Sequence, residues 1–176
     1  MLKKILVGLV VIIGGLMAYA AVRPGHMNIS RELLINANVD TLFPYLNNSK
    51  MANSWMPWAE SDPGLVMNYS GPAEGVGSIS SWDSKGQMGT GKAEVVSSIA
   101  NHSVKTQLTY TKPMNMSQMA EMTLTPSGSA TMVRWQVTGE QNFICRLMSI
   151  FMDMDKMVGG EFEKGLTKLK ASVEVK

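Results

Sequence analysis

Between residues 65 and 139 the chain consists of short stretches in which polar and apolar residues alternate, separated by turn-forming residues. One side of a strand carries Val104, Thr106, Leu108 and Tyr110, while Lys105 lies on the opposite side. Strands that follow one another through short turns pair antiparallel. The predicted strands are 65–70, 77–83, 89–99, 103–110, 116–125 and 130–139, with 26–35 as an earlier seventh. The pattern indicates an antiparallel sheet with one solvated and one covered face.

The C-terminal segment is predicted to cover that sheet. Its apolar residues recur at helical spacing, first at Phe143, Leu147 and Phe151 and then from Val158 onward. The second set comprises Val158, Phe162, Leu166, Leu169 and Val173. Because glycine disfavours a helix interior, we expect a short helix to give way to a longer one near Gly159-Gly160. Asn38 or Asp40 is expected to cap an earlier helix through Leu46, and a further helical turn is expected over 49–56. The predicted class is α+β.

An apolar run precedes the first strand. The 18 residues from Ile5 to Val22 carry no charge and follow Lys3 and Lys4. As a helix they span roughly 27 Å, close to a hydrocarbon core of about 30 Å. Two interpretations remain open: an uncleaved anchor, which the length favours, or a signal peptide cut after Ala20. Since the lysines precede the run, both place residues 26–176 outside the cytoplasm.

Charge and cysteine content argue against a nucleic-acid-binding protein and exclude a domain held by internal disulfides. The chain has 16 basic residues, and without Lys3 and Lys4 the remaining 14 balance 14 acidic ones. A neutral domain is a poor partner for nucleic acid. Cys145 is the only cysteine, so no internal disulfide can form. It is expected to be a small buried apolar group, with pairing between chains as the alternative.

No catalytic motif is recognisable. Residues 86–92 read GQMGTGK, but Ala93 replaces the hydroxyl of a phosphate-binding loop and a strand follows instead of a helix. A glycine-rich hairpin explains the sequence better. His26 and His102 lie in no nucleophile motif. We therefore predict no catalytic residue, no metal site and no cofactor.

Methionine and tryptophan are the remaining unusual features. The chain has 16 methionines, some clustered at Met114, Met116 and Met119. Thioethers bind Cu(I), but on a strand Met119 points away from the other two, so flexible apolar filling is the preferred interpretation. Trp55 and Trp58 bracket a predicted loop, where they would form either a ligand mouth or simple packing.

The residues of the domain, taken in order, resemble a known superfamily. The resemblance covers about residues 27–174 and rests on motifs that are weak singly but fairly specific in their order and spacing. They are Trp55-Met56-Pro57-Trp58, Asp62-Pro63, Tyr69-Ser70-Gly71-Pro72, Gly75-Val76-Gly77, Trp82, Gly89-Thr90-Gly91, Thr131-Met132-Val133-Arg134-Trp135, the segment from Gly160 to Leu166, and Leu169-Lys170. The chain resembles START-like (SRPBCC) proteins, which include polyketide cyclases, dehydrases and lipid-transport proteins, and especially their membrane-tethered bacterial members.

The resemblance implies a helix-grip fold, in which about seven antiparallel strands curl around a long C-terminal helix with a cavity between them. Residues 1–25 would be the membrane segment, in a bacterial inner membrane, and 26–176 the ligand-binding domain on its periplasmic side. No position matches a catalytic residue of the family. The leading hypothesis is binding or carrying of a lipid-like or other apolar molecule. The expected ligand-binding residues are Trp55, Trp58, Trp82, Tyr110, Met122, Trp135, Phe162 and Leu166.

Two other functions remain open. A cyclase or dehydrase would need several polar side chains converging in the cavity, at least one with a strongly shifted pKa. A protein-interaction module of the cell envelope would show a large exposed apolar patch away from the cavity mouth.

Overall fold

The computed structural model of the chain describes residues 2–58, 62–86 and 88–174. Seven strands and five helices follow one another in the described residues. They are α1 (Leu2–Val22), β1 (His26–Ile35), α2 (Val39–Asn47), α3 (Ser49–Trp55), β2 (Val66–Ser70), β3 (Ile79–Asp83), β4 (Thr90–Ile99), β5 (Ser103–Lys112), β6 (Met116–Ser127), β7 (Ala130–Glu140), α4 (Phe143–Met148) and α5 (Met154–Glu174). The strands predicted from alternation are confirmed, with ends that differ by at most two residues.

The strands form one antiparallel sheet in the order β1-β7-β6-β5-β4-β3-β2. Strands β2 to β7 are joined to their sequence neighbours, and β1 closes the order beside β7. Helix α5 lies on the concave face, where its buried side chains meet those of the sheet. This is the helix-grip arrangement, so the predicted fold class is confirmed.

Short polar caps fix the two helices between β1 and β2. The side chain of Asn38 accepts a hydrogen bond from the backbone N–H of Thr41 at 2.9 Å, and Asn48 accepts from Lys50 and Met51. Each cap satisfies backbone donors that the first helical turn leaves unpaired. The predicted cap at Asn38 is therefore confirmed, and α2 begins one residue later.

The predicted helix break at Gly159-Gly160 is wrong. Both glycines lie inside the continuous helix α5, and the break lies between Met148 and Met154. A Cβ atom on Gly159 would collide with the guanidinium of Arg31, so this glycine lets the arginine lie against the helix. The apolar repeat also divides at the break. Phe162, Leu166, Leu169 and Val173 are buried, whereas α4 has no buried residue and Phe151 is 71% exposed.

Helix α1 is the apolar N-terminal segment. One continuous helix spans 21 residues, and the stretch from Lys3 to Val22 is long and apolar enough to cross a membrane. Most of its side chains are exposed, including Ile5 and Val11. Length and composition fit an anchor and a signal sequence alike.

Candidate functional site

The antiparallel register arranges the inner face of the sheet in rows that run across the strands. Val104, Met122 and Trp135 form one row, because Val104 pairs with Met122 and Met122 with Trp135. Leu124 and Val133 form the next row towards the β6–β7 hairpin. In the opposite direction, the row containing Leu108 and Gln118 lies towards the ends where β1 begins and β7 stops. The inner face therefore has two ends.

One end is sealed, and we call it the closed end. It comprises the rows from Trp135 to Ile35, where Leu124 is 1% exposed and Val133 and Ile35 are completely buried. Leu42, Leu46 and Leu169 from the helices fill the space above these rows. Two hydrogen bonds hold the margin of the closed end. The Thr131 hydroxyl donates to the carbonyl of Ala37, and the backbone N–H of Asn36 donates to the Glu174 carboxylate.

An aromatic cluster occupies the middle of the inner face. The rings of Trp135 and Phe162 stack with centroids 4.2 Å apart, and Trp55 and Trp58 meet Trp135 edge to face at 5.5 and 6.1 Å. These are favourable aromatic geometries, and the cluster fills the space between α5 and the sheet at that level. Trp55 Nε1 donates to the Tyr45 carbonyl at 3.0 Å. Trp135 Nε1 is buried and has no hydrogen-bond partner among the described residues.

In the row directly beyond this cluster Ile29, Val137 and Ala120 are buried. The two rows after it, those of Leu108 and Tyr110, are only partly covered, and we call these two rows the open end. On neighbouring strands, Ala93 pairs with Leu108 and Leu108 with Gln118, while Tyr110 pairs with Met116. These five side chains have intermediate exposure, whereas Met27 and Trp82 on the same two rows are buried. The open end is thus a mostly apolar part of the inner face that the rest of the chain covers only in part.

Trp82 and Tyr110 lie at the outermost row of the open end. Their rings meet edge to face at 5.4 Å, and the Trp82 indole lies over Gly91, where a Cβ atom would stand 2.5 Å from it. Trp82 Nε1 donates to the Met88 carbonyl at 3.2 Å, so the indole is held in place. Burial raises the pKa of Tyr110 above its usual value and keeps its hydroxyl protonated.

Gln118 is the polar side chain at the centre of the open end. Its amide Nε2 lies 3.7 Å from Sδ of Met116 and 4.0 Å from Sδ of Met27, and its Cγ lies over Gly139. A thioether is a weak acceptor, so these contacts satisfy the amide poorly. Gln118 and Tyr110 together offer hydrogen-bonding groups within a mostly apolar surface.

Arg31 closes the inner face at the β1 edge, in the row of Trp135. Its guanidinium donates to both carboxylate oxygens of Asp155, at 2.8 and 3.1 Å, and to Glu163 at 2.7 Å. The arginine lowers the pKa of the Asp155 carboxyl, first through the hydrogen bonds and then through its charge. These bonds join the first turns of α5 to the sheet edge.

The eight predicted ligand-binding residues divide between these regions. Trp55, Trp58, Trp135 and Phe162 form the aromatic cluster, and Leu166 is buried beside it. Met122 is 7% exposed in the row of Trp135. Trp82 and Tyr110 alone of the eight lie at the open end. Sequence reasoning missed Gln118 and Gly139, which lies opposite it. The period-two pattern of β6 was the signal that places Gln118 on the inner face.

A separate groove of about 710 Å³ lies outside the sheet–helix space. It runs between Pro57 and the polar side of α5, where Glu161, Lys164 and Thr167 line it. Charged walls of this kind do not suit an apolar ligand.

A curved antiparallel sheet holding a long C-terminal helix defines the helix-grip class of proteins. Residues 26–174 match the model of the family described as polyketide cyclase/dehydrase and lipid transport. The chain belongs to that family. No curated protein sequence matches it significantly.

Solved structures share the fold at low sequence identity. The chain is similar to the Aha1 protein of Colwellia psychrerythraea, a dimer in its solution structure, with 20% identity, a TM-score of 0.60 and coverage of 85% of this chain and 97% of that one. It is also similar to the major latex-like protein 151 of Panax ginseng, with 12% identity, a TM-score of 0.58 and coverage of 85% and 99%. It is similar as well to the aromatase/cyclase StfQ of the steffimycin pathway, with 11% identity, a TM-score of 0.59 and coverage of 85% of this chain. Only 51% of StfQ is covered, because StfQ has two domains.

Proposed function

We propose that the chain is a carrier for one lipid-like or aromatic small molecule, which lies against the open end of the sheet. The observation that carries this proposal is the difference in cover along one inner face. Leu124 at the closed end is 1% exposed, whereas Leu108 on the neighbouring strand is only partly buried. Burial of apolar ligand surface contributes about 25 cal/mol per Å² before the costs of association.

The polar groups of the open end indicate which functional groups the ligand carries. Gln118 offers an amide whose present partners are thioethers, and Tyr110 offers a protonated hydroxyl. A molecule with one hydroxyl or carboxyl group and an apolar body would satisfy both. Family membership supports binding of an apolar molecule, since the family description includes lipid transport.

Binding is favoured over cyclase or dehydrase chemistry by the side chains present. Among the described residues of the inner face, Arg31 is already bonded to Asp155 and Glu163, and Tyr110 is a protonated phenol. No described carboxylate or histidine lies in the rows of Leu108 and Tyr110. General acid–base catalysis needs a group that can exchange a proton near neutral pH.

An uncleaved anchor is part of the proposal, with residues 1–25 in the membrane and 26–176 as the carrier domain. Ala18-Tyr19-Ala20 lies within the continuous helix α1, and Ala20 is completely buried. The end of α1 also packs against α4 of the domain. A segment that packs on the folded domain has a structural role that a removed signal peptide would lack.

Native mass spectrometry of the full chain released from detergent micelles tests the carrier function. We expect a one-to-one adduct of a co-purified lipid in the wild type, identified in an organic extract of the same preparation. Leu108→Asp should lose the adduct, because a carboxylate would lie on the apolar surface. Leu34→Asp is the matched control, since Leu34 is exposed on the outer face of β1.

Two results would contradict the carrier function. One is a wild-type chain that shows no adduct although the folded protein is intact. The other is an adduct that survives Leu108→Asp and Leu34→Asp equally, which would locate the lipid around α1 rather than in the domain.

A further inference from the structure

The segment 143–152 carries an apolar surface that the fold leaves uncovered. Arg146 is its only charged residue. Ile144 is 53% exposed, Met148 44% and Phe151 71%, and Met152 is exposed as well. Isolated exposed apolar side chains are common, but a contiguous group of this kind marks an interaction surface.

Hydrogen bonds place this segment beside the C-terminal end of α1. Arg23 Nη1 donates to the Ser149 carbonyl at 3.0 Å and to its hydroxyl at 3.1 Å. In the opposite direction, Arg146 Nη1 donates to the carbonyls of Ala21 at 3.2 Å and Arg23 at 3.3 Å. Segment 143–152 is therefore held at the level where the apolar stretch of α1 ends.

The open end of the sheet lies on the same side of the domain. Strand β1 starts at His26, three residues after Arg23, and β7 ends at Glu140, just before α4. The register then brings the β3–β4 and β5–β6 connections to this end, because Trp82 pairs with Gly91 and Tyr110 with Met116. Those connections carry the exposed Lys85 and, at their margin, Lys112.

We propose that segment 143–152 lies in the interfacial layer of the bilayer that α1 crosses, so that the open end of the sheet faces the lipid headgroups. This inference rests on the proposed anchoring and extends it, since it specifies how the domain sits on the membrane and from which side a ligand enters. The bilayer is the committed partner because the bonds from Arg23 and Arg146 fix the segment to the end of the apolar helix.

The chemistry of the segment suits an interfacial position. Its exposed isoleucine, methionines and phenylalanine would enter the boundary between headgroups and acyl chains, as the apolar faces of interfacial helices do. The long side chains of Arg23 and Arg146 can keep their charges at headgroup level while their stems stay in the apolar layer. Lys85 and Lys112 would add attraction to anionic lipids.

The test uses the full chain, in a Cys145→Ser background, reconstituted into vesicles of phosphatidylcholine and phosphatidylglycerol. A nitrobenzoxadiazole fluorophore is attached to a single cysteine in Phe151→Cys or in Ile99→Cys. Ile99 is the matched control, because it is exposed and apolar but lies at the end of β4 next to the closed end. Phospholipids with nitroxide groups at different depths serve as quenchers.

We expect the fluorophore at position 151 to emit at shorter wavelength in vesicles than at position 99 and to be quenched at least threefold more strongly by shallow nitroxides. Equal, water-like emission at both positions would overturn the inference. Shielding of position 151 in native membranes but not in pure lipid vesicles would also overturn it, in favour of a protein partner.

The mass of the purified chain separates this inference from the carrier function. An intact N-terminus is expected. A chain cut after Ala20 would overturn both the anchoring and the interfacial position, whereas a lipid adduct on such a cut chain would still support the carrier function.

Discussion

The two ends of the inner face are built from the same strands but differ in what covers them. At the closed end, α2 and α3 are bonded to the sheet through Asp40–Asn101, Asn47–Ser98 and Ser49–Ser78 side-chain contacts. At the open end Leu108, Gln118 and Tyr110 keep intermediate exposure, although Trp82 and Met27 beside them are buried. The comparison shows that alternation in a strand decides which residues face inward, while the attachment of helices decides whether that interior is core or binding surface.

The largest expected effect separates two leucines on neighbouring strands. Because Leu124 is fully buried, Leu124→Ala should lower the free energy of unfolding by about 2–5 kcal/mol. Leu108→Ala removes a half-buried side chain and should cost less than about 1.5 kcal/mol. Urea unfolding of the full chain at constant detergent, followed by tryptophan fluorescence, measures both. Equal costs would mean that the two ends are packed alike.

A second expected effect concerns Gly159 and Gly160 of α5. They lie at the level of Arg31, between the closed end and the open end of the inner face. Gly160→Ala should raise the free energy of unfolding by roughly 0.5–1 kcal/mol, because alanine favours the helix interior and no described atom lies within 4 Å of its Cβ. Gly159→Ala should lose that gain, since the new methyl group displaces the Arg31 guanidinium from Asp155 and Glu163.

Thermal unfolding of the two glycine variants under identical conditions provides the measurement. The variants differ by one position in the same helix, so helix propensity is matched. An equal gain in thermal stability in both variants would show that the contacts of Arg31 with Asp155 and Glu163 do not help to attach α5 to the sheet.

Strand positions and the covered face could be predicted from the sequence because they depend on local alternation and turn residues. The pairing partners of the strands could not be predicted, and they determine which residues come together at the candidate site. Gly91 makes room for Trp82, and Gly139 makes room for Gln118, yet each glycine alone resembles an ordinary strand residue. Only the register brings each glycine next to its large neighbour on the adjacent strand.

Helical periodicity was misleading for one segment. The spacing of Phe143, Leu147 and Phe151 predicted a short helix that covers the sheet together with the longer helix after it. The structure instead places α4 beside α1, outside the core. A periodic apolar pattern shows that one face avoids water, but it does not specify whether protein or lipid covers that face.

A smaller effect is expected on ligand selectivity. Gln118→Leu keeps the shape of the side chain but removes its amide, so binding of octadecanol should weaken about fivefold, the equivalent of one net hydrogen bond. Binding of octadecane should not weaken. Competition between the two compounds for the full chain, read by native mass spectrometry, gives the ratio.

The control for this experiment is Gln136→Leu. Gln136 lies on the outer face of β7 and donates to Asn28 at 2.7 Å. A change of selectivity in Gln136→Leu as large as that in Gln118→Leu would show that the amide of Gln118 does not determine which ligand is bound.

The smallest expected effect is the pH dependence that Asp155 contributes at the rim of the inner face. The pKa of its carboxyl is lower in the folded chain than in the unfolded one because Arg31 holds the charged form. A depressed folded pKa contributes stability that is present above the unfolded value of about 3.9 and is lost as the pH falls through the folded value.

Asp155→Asn should therefore make the fall in Tm below about pH 4 shallower than in the wild type, with little change in slope at pH 7. Glu161→Gln, which removes a surface ion pair with Lys164 on the same helix, is the matched control. Thermal unfolding from pH 2 to pH 7 measures the slopes. Since the carboxylate is well exposed, solvent screening keeps the effect small. An unchanged acid slope in Asp155→Asn would mean that the rim contact with Arg31 does not stabilise the attachment of α5, and the border between the closed and open ends would then depend on the aromatic cluster alone.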